Sequence, residues 1–192
     1  MKLLGLTGGI GMGKTAAGQW LRSRGVPVVD TDVLARDIVE PGQPALVEIK
    51  AAFGDGIVTP DGRLRREDLA RRVFCNPALR RTLEDITHPR IRLLWQQQAA
   101  AWRREGRPVA AIVIPLLFET GAEKEVDATV CVACSGATQR MRLLDRGWSA
   151  EEIARRAAAQ WPVEKKMALA DFVVWTEGGL DILGKQIERI LG

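Results

Sequence analysis

Short apolar runs alternate with stretches of helical periodicity along this chain. Residues 3–6 are closed by Thr7 and glycines, Pro27-Val28-Val29 runs into Asp30-Thr31-Asp32, and residues 109–114 are an unbroken Val/Ala/Ile run. Residues 129–133 and 172–175 repeat the pattern. None alternates strictly between apolar and polar, as expected of strands covered on both faces of a parallel sheet. Between them Ala16, Ala17, Trp20 and Leu21 recur at helical spacing. So do Ile91, Leu94, Trp95, Gln98 and Trp102, and then Leu180, Leu183, Ile187 and Leu191. Ser149-Ala150-Glu151-Glu152 reads as a capping box opening a helix to about Gln160. This alternation predicts an α/β fold, a five-stranded parallel sheet layered between helices.

Two stretches are too long for single crossover helices. Residues 33–107 are mostly helical and charged, and they predict a helical insertion. Residues 135–166 form an arginine-rich helical pair between the fourth and fifth strands. The expected organisation is one domain, with a core of residues 1–32, 108–134 and 167–192 carrying these two additions.

Composition adds bounds rather than chemistry. With 192 residues, 46% hydrophobic and 27% charged, the chain can bury a core without disulfides, and disordered or collagen-like classes are excluded. Three cysteines and no secretory pattern at the N-terminus predict a reducing, cytoplasmic setting. No apolar run approaches the roughly 18 residues a membrane span needs, so no membrane partner is expected. The net charge of +4 favours anionic partners, but the arginines are dispersed, and no nucleic-acid partner is expected.

Gly8-Gly9-Ile10-Gly11-Met12-Gly13-Lys14-Thr15 matches G-x-x-x-x-G-K-[ST] in full, between a strand and an amphipathic helix. Glycines let such a loop curl so that successive N–H groups converge on a polyphosphate. The opening of the helix at Lys14, Thr15 and Ala16 adds its positive dipole end. Lys14 supplies a charge for the β- and γ-phosphates, and Thr15 a hydroxyl for Mg²⁺. The pattern predicts a nucleoside-triphosphate site. It leaves open whether the chain is a GTPase, a motor or a kinase. The length disfavours a motor, and no late N-K-x-D base reader favours a GTPase.

Asp32 follows the second strand, where a carboxylate faces the ligand crevice of an open α/β sheet and can orient or deprotonate an attacking hydroxyl. Arg36 lies one turn later on the same helix face and can hold an anion. A helix cap with a surface arginine is the alternative reading of this pair.

The segments TGGIGMGKT (7–15), DTDVLARDIVEPG (30–42), HPRIR (88–92), IPLLFE (114–119), QRMRLLDRGWSAEEIARRAAAQ (139–160) and KKMALADFVV (165–174) together resemble dephospho-CoA kinases. The resemblance covers residues 3 to about 178. It implies a three-layer P-loop kinase fold with a helical acceptor-binding insertion and a helical lid. It also implies transfer of the γ-phosphoryl group of ATP to the ribose 3′-hydroxyl of dephospho-CoA, giving coenzyme A, with a monomer favoured. By that resemblance Asp32 matches the catalytic aspartate and Arg36 the acceptor-binding arginine. His88 belongs to the family's H-P pair, and Pro115, Leu116, Leu117, Phe118 and Glu119 match the acceptor-pocket segment. Arg140 matches the lid arginine that closes on the ATP phosphates, with Arg146 a second candidate. ATP contacts would then fall on Gly8, Gly11, Met12, Gly13, Lys14, Thr15 and Ala16. Two positions depart from the family pattern. Met12 stands where serine is commoner, and Thr176 where an asparagine is usual, which puts an adenine contact at Thr176 in question. A nucleoside or nucleotide kinase of the same fold, or a nucleic-acid-dependent ATPase, remains the alternative function.

Other features have structural readings. His88 before Pro89 fits an N-cap followed by Pro at the first helical position, and a substrate contact is the competing account. Cys131 and Cys134 lie on a predicted strand and read as small buried residues rather than a redox or zinc pair. Trp20, Trp95 and Trp102 occupy core-facing helical positions. In residues 135–166 the basic Arg140, Arg142, Arg146, Arg155, Arg156, Lys165 and Lys166 outnumber Asp145, Glu151, Glu152 and Glu164. That excess predicts a segment awaiting a polyphosphate.

Overall fold

The computed structural model describes residues 1–192, in two compact units: residues 1–30 with 99–192, and residues 31–98. In the first unit five parallel strands form one sheet in the order β2-β3-β1-β4-β5. They are β1 (Lys2–Thr7), β2 (Val28–Asp30), β3 (Val109–Val113), β4 (Ala128–Ala133) and β5 (Phe172–Trp175). β1 lies at the centre, with Leu4 opposite Ala111 on one side and Ala128 on the other.

The lack of alternation in the strands has its cause in this layering. One sheet face, carrying Leu4, Leu6, Val113, Val130, Val132 and Val174, packs with α1 (Lys14–Ser23) and α9 (Leu180–Leu191). On the opposite face a side chain at Gly5 would meet Val126 and Leu117. Both faces are covered, so both must be apolar. The edge strand β5 departs from this, since Phe172 and Trp175 are exposed. In α9 the buried stripe is Leu183, Ile187 and Ile190, while Leu180 at the helix start is exposed.

β4 leads into α6 (Gly136–Leu144), α7 (Ala150–Ala158) and α8 (Val163–Leu169). Ser135 caps α6 by accepting from the Thr138 N–H, and Ser149 caps α7 by accepting from the Glu152 N–H. Each cap contributes about 1 kcal/mol. The capping residue at 149 stands where the sequence pattern puts it.

The second unit is helical, with its own core. α2 (Thr31–Asp37), α3 (Pro44–Phe53) and α4 (Arg66–Cys75) come first, and α5 (Pro77–Arg104) starts here, its residues from 99 onward belonging to the sheet unit. Ile38, Val39, Ile49, Phe53, Ile57 and Leu69 form the buried cluster, flanked by Leu83, Ile86 and Ile91.

The cap expected at His88 is corrected by α5. Asn76 caps this helix instead, accepting from the Ala78 and Leu79 N–H groups, and Pro77 takes the first helical position. His88 and Pro89 therefore lie inside a 28-residue helix. Pro89 is exposed and so leaves the carbonyl it cannot satisfy open to water, and the Arg90 guanidinium donates to the Ile86 carbonyl. Along the same helix Trp95 and Trp102 are buried as expected, whereas Leu94 and Gln98 face solvent.

Candidate active site

The loop between β1 and α1 occupies the carboxyl end of the central strand, where open α/β sheets bind ligands. Two of its glycines are required by the backbone. Gly8 has φ +142°, and a Cβ there would collide with the Val132 carbonyl oxygen. Gly13 has φ +96° as the residue preceding α1, and a Cβ there would press on Thr176. Between them Gly11 also has positive φ, and the Met12 N–H turns back to the Gly9 carbonyl at 3.3 Å. Lys14, the first residue of α1, folds its ammonium over this curl and donates to the Gly8 and Gly9 carbonyls, both at 2.9 Å. Thr15 is exposed beside it, and Ala16 is half-buried.

Side chains from elsewhere in the sheet unit hold the loop in shape. Thr176, 5% exposed, donates its hydroxyl to the Met12 carbonyl at 2.9 Å. The Arg142 guanidinium in turn donates to the Thr176 hydroxyl at 2.8 Å and to its carbonyl. Ile10 is reached by Gln139 and Gln160. Thr176 thus supports the floor of the loop. Met12 is buried, and its thioether packs against Gly9 of the loop.

After β3 the segment 115–119 turns its polar atoms inward. Lys166 on α8 is wholly buried, and its ammonium donates to Glu119 Oε1 and to the Pro115 carbonyl, both at 2.7 Å. The Thr7 hydroxyl donates to the same carbonyl at 3.1 Å, and the Trp161 N–H donates to Glu119 Oε1 at 2.9 Å. Leu117 is fully buried and Phe118 nearly so, whereas Pro115 and Leu116 keep partial exposure.

Part of the positive charge of residues 135–166 is held within the sheet unit. Lys166 is paired with Glu119, Arg156 pairs with Glu152 one turn away at 2.8 Å, and Arg142 is bound to Thr176. Arg156 also stacks on Trp148, and Lys165 lies over Trp161. Arg140 on α6 and Arg146 just beyond it are exposed. The sequence signal for Lys166 existed: with Val163 and Met167 it lies on the inward stripe of α8. Nothing local marked Gln139, Gln160 or Arg142.

Of the remaining candidates, Asp32 lies in the first turn of α2 and Arg36 in its last, both exposed. The Arg36 carbonyl accepts from Arg66, which also pairs with Glu40 at 3.0 Å. His88 is half-buried in mid α5. These three belong to the helical unit; the loop, residues 115–119, Arg140 and Arg146 belong to the sheet unit.

The titrating groups near the loop behave as their surroundings dictate. Burial pushes the Cys131 thiol up to about 11, and burial also raises Cys134. Both are buried and outside any disulfide, consistent with packing residues. The Glu177 carboxyl is lowered chiefly by its hydrogen bonds from Ser135, which it reaches at the N-terminus of α6.

Comparison with known proteins follows this geometry closely. A sequence model described as dephospho-CoA kinase matches residues 2–181. The chain is 47% identical over 192 residues to a dephospho-CoA kinase of Anaeromyxobacter dehalogenans, covering 100% of this chain and 91% of that protein. A crystal structure from Thermus thermophilus superposes with a TM-score of 0.86 at 36% identity, covering 99% of this chain and 96% of its own. The dephospho-CoA kinase of Campylobacter jejuni superposes with a TM-score of 0.71 at 25% identity, covering 100% and 96%.

Proposed function

The chain belongs to the dephospho-CoA kinase family, and from that premise we propose how its own residues divide the work. The protein is an ATP-dependent phosphotransferase that phosphorylates dephospho-CoA, the final step of coenzyme A formation. The observation that carries this reading is the phosphate loop: a curled backbone with its ammonium already folded over it at the end of the central strand.

The loop amides and the opening of α1 receive the β- and γ-phosphates, and Lys14 exchanges its two carbonyl partners for phosphate oxygens. The exposed Thr15 hydroxyl at the first turn suits a hard cation, so Thr15 is the residue that would hold Mg²⁺. Bound there, the ion would neutralise phosphate charge. Asp32 orients the ribose 3′-hydroxyl and takes up its proton, while Arg36 and His88 bind the acceptor. Pro115 and Leu116 present the acceptor wall, with Leu117, Phe118 and Glu119 supporting it from inside. Arg140 and Arg146 meet the triphosphate from the lid, residues 135–166, and residues 33–107 serve as the acceptor-binding insertion. These contacts place donors where charge develops on the transferred group.

No helix is long and apolar enough to cross a membrane. The three free cysteines support a cytoplasmic setting, and a monomer is the working unit of this reading.

The direct test is ADP release in a coupled assay with dephospho-CoA, AMP, nucleosides and RNA offered separately. Turnover with dephospho-CoA alone is expected. Asp32→Asn should lower that turnover by about 10²–10⁴-fold with ATP affinity preserved. Asp32 lies inside the first turn of α2, so turnover within threefold of the parent would assign it a structural role at the helix start instead.

A further inference from the structure

A loop built on glycine can curl around phosphate, but the same freedom gives it little rigidity of its own. In this chain the rigidity at the crest of the loop comes from two side chains on separate helices. Gln139, on α6, donates its amide to the Ile10 carbonyl at 2.7 Å. Gln160, just past α7, accepts the Ile10 N–H at 3.2 Å. Both polar groups of one loop residue are therefore fixed from outside the motif. The packing agrees with the hydrogen bonds: a side chain at Gly9 would approach the Gln139 amide nitrogen at 3.4 Å. Both glutamines are half-buried, which shields these bonds from competing water.

Ile10 stands between Gly9 and Gly11, so its two peptide planes set the direction from which the following amides, Gly11 to Thr15, address a phosphate chain. We infer that Gln139 and Gln160 are positioning residues for ATP: together they lock the Ile10 peptides so that the loop is shaped before nucleotide arrives. Neither takes part in the chemistry of transfer, and neither belongs to the loop motif. Because one is borne by α6 and the other by the end of α7, the lid helices and the phosphate loop form a single arrangement. Displacing either helix releases one side of Ile10. Preorganisation of this kind lowers the ordering cost of binding, so its loss is read in ATP affinity.

This inference rests on the ATP-site reading but not on the identity of the acceptor, and the test separates the two. Gln139→Met and Gln160→Met keep side-chain length and remove the donor and the acceptor respectively. Affinity for a non-hydrolysable ATP analogue, measured calorimetrically without acceptor, should fall about fivefold to tenfold in each. The double variant should lose less than the product of the two, because both bonds fix the same residue. In turnover assays the KM for ATP should rise in parallel, with the KM for dephospho-CoA unchanged. If the parent binds the analogue but does not turn over dephospho-CoA, the acceptor assignment fails and the inference stands. Analogue affinity within twofold of the parent in both folded single variants overturns the inference, as does a loss confined to thermal stability. Strictly multiplicative losses in the double variant also overturn it, since two independent contacts would then suffice.

Discussion

The phosphate loop after β1 and the segment 115–119 after β3 leave neighbouring strands of one sheet, yet they use opposite parts of the chain. In the loop the chemistry lies in the backbone: positive φ at Gly8, Gly11 and Gly13, and one lysine that folds onto its own turn. In 115–119 the chemistry lies in groups from distant positions: the Lys166 ammonium reaches Glu119 and Pro115, and the Trp161 backbone N–H reaches Glu119. The loop is a local device and the segment a tertiary one. A local device shows in a short motif, because every atom it needs is within a few residues. A buried ion pair spanning 47 positions (119 to 166) has no such signature.

The sharpest way to test this division is at the two lysines, which should fail differently. Lys14→Ala removes a charge aimed at phosphate and should lower turnover by about 10²–10³-fold or more, with thermal stability close to the parent. A folded Lys14→Ala protein with near-normal turnover would break the comparison at its first half.

Lys166→Met should act through stability, because it leaves the Glu119 carboxylate buried without its partner. The expected cost is about 3–5 kcal/mol. Adding Glu119→Gln should recover part of it, since a buried neutral pair no longer carries an uncompensated charge. Denaturant melts of the two single variants and the double variant measure the coupling. No recovery in the double variant would mean that the pair acts through packing alone.

A smaller effect is expected where the two kinds of device meet. Thr176→Val keeps shape but withdraws the hydroxyl from Met12 and Arg142, at a cost of about 1–3 kcal/mol. ATP affinity should fall with it, because the Met12 carbonyl belongs to the loop. A stability loss without any change in ATP affinity would separate the floor of the loop from its function.

The smallest expected effect is the pH dependence of Glu177. Its carboxyl is lowered from an ordinary value of 4.5 by hydrogen bonds from Ser135 and Thr138. Its contribution is therefore fully present above that value and is lost as pH falls through the lower folded value. Glu177→Gln should flatten the acid side of the stability profile and lower the plateau above about pH 6 by a constant amount. An unchanged acid limb would mean that the carboxylate contributes nothing at the start of α6.

The five strand segments, the α/β class and the phosphate loop were determined by the sequence itself. Unbroken apolar runs force burial on both sheet faces, and glycine spacing is itself a statement about φ. The Ser149 cap was readable for the same reason, since its donor lies three residues away. Helix α5 marks the boundary of such reasoning. His88-Pro89 carries a plausible start signal, but Asn76-Pro77 carries another one, and the helix runs through the proline where its ring is exposed. Only the tertiary structure decided between them. It likewise decided that Lys166 is buried with Glu119, that Thr176 supports Met12, and that Gln139 and Gln160 meet at Ile10. These choices join side chains far apart in the chain. Hydrogen-bonding capacity is a property of the residue, but the partner that satisfies it is chosen by which elements the sheet brings together.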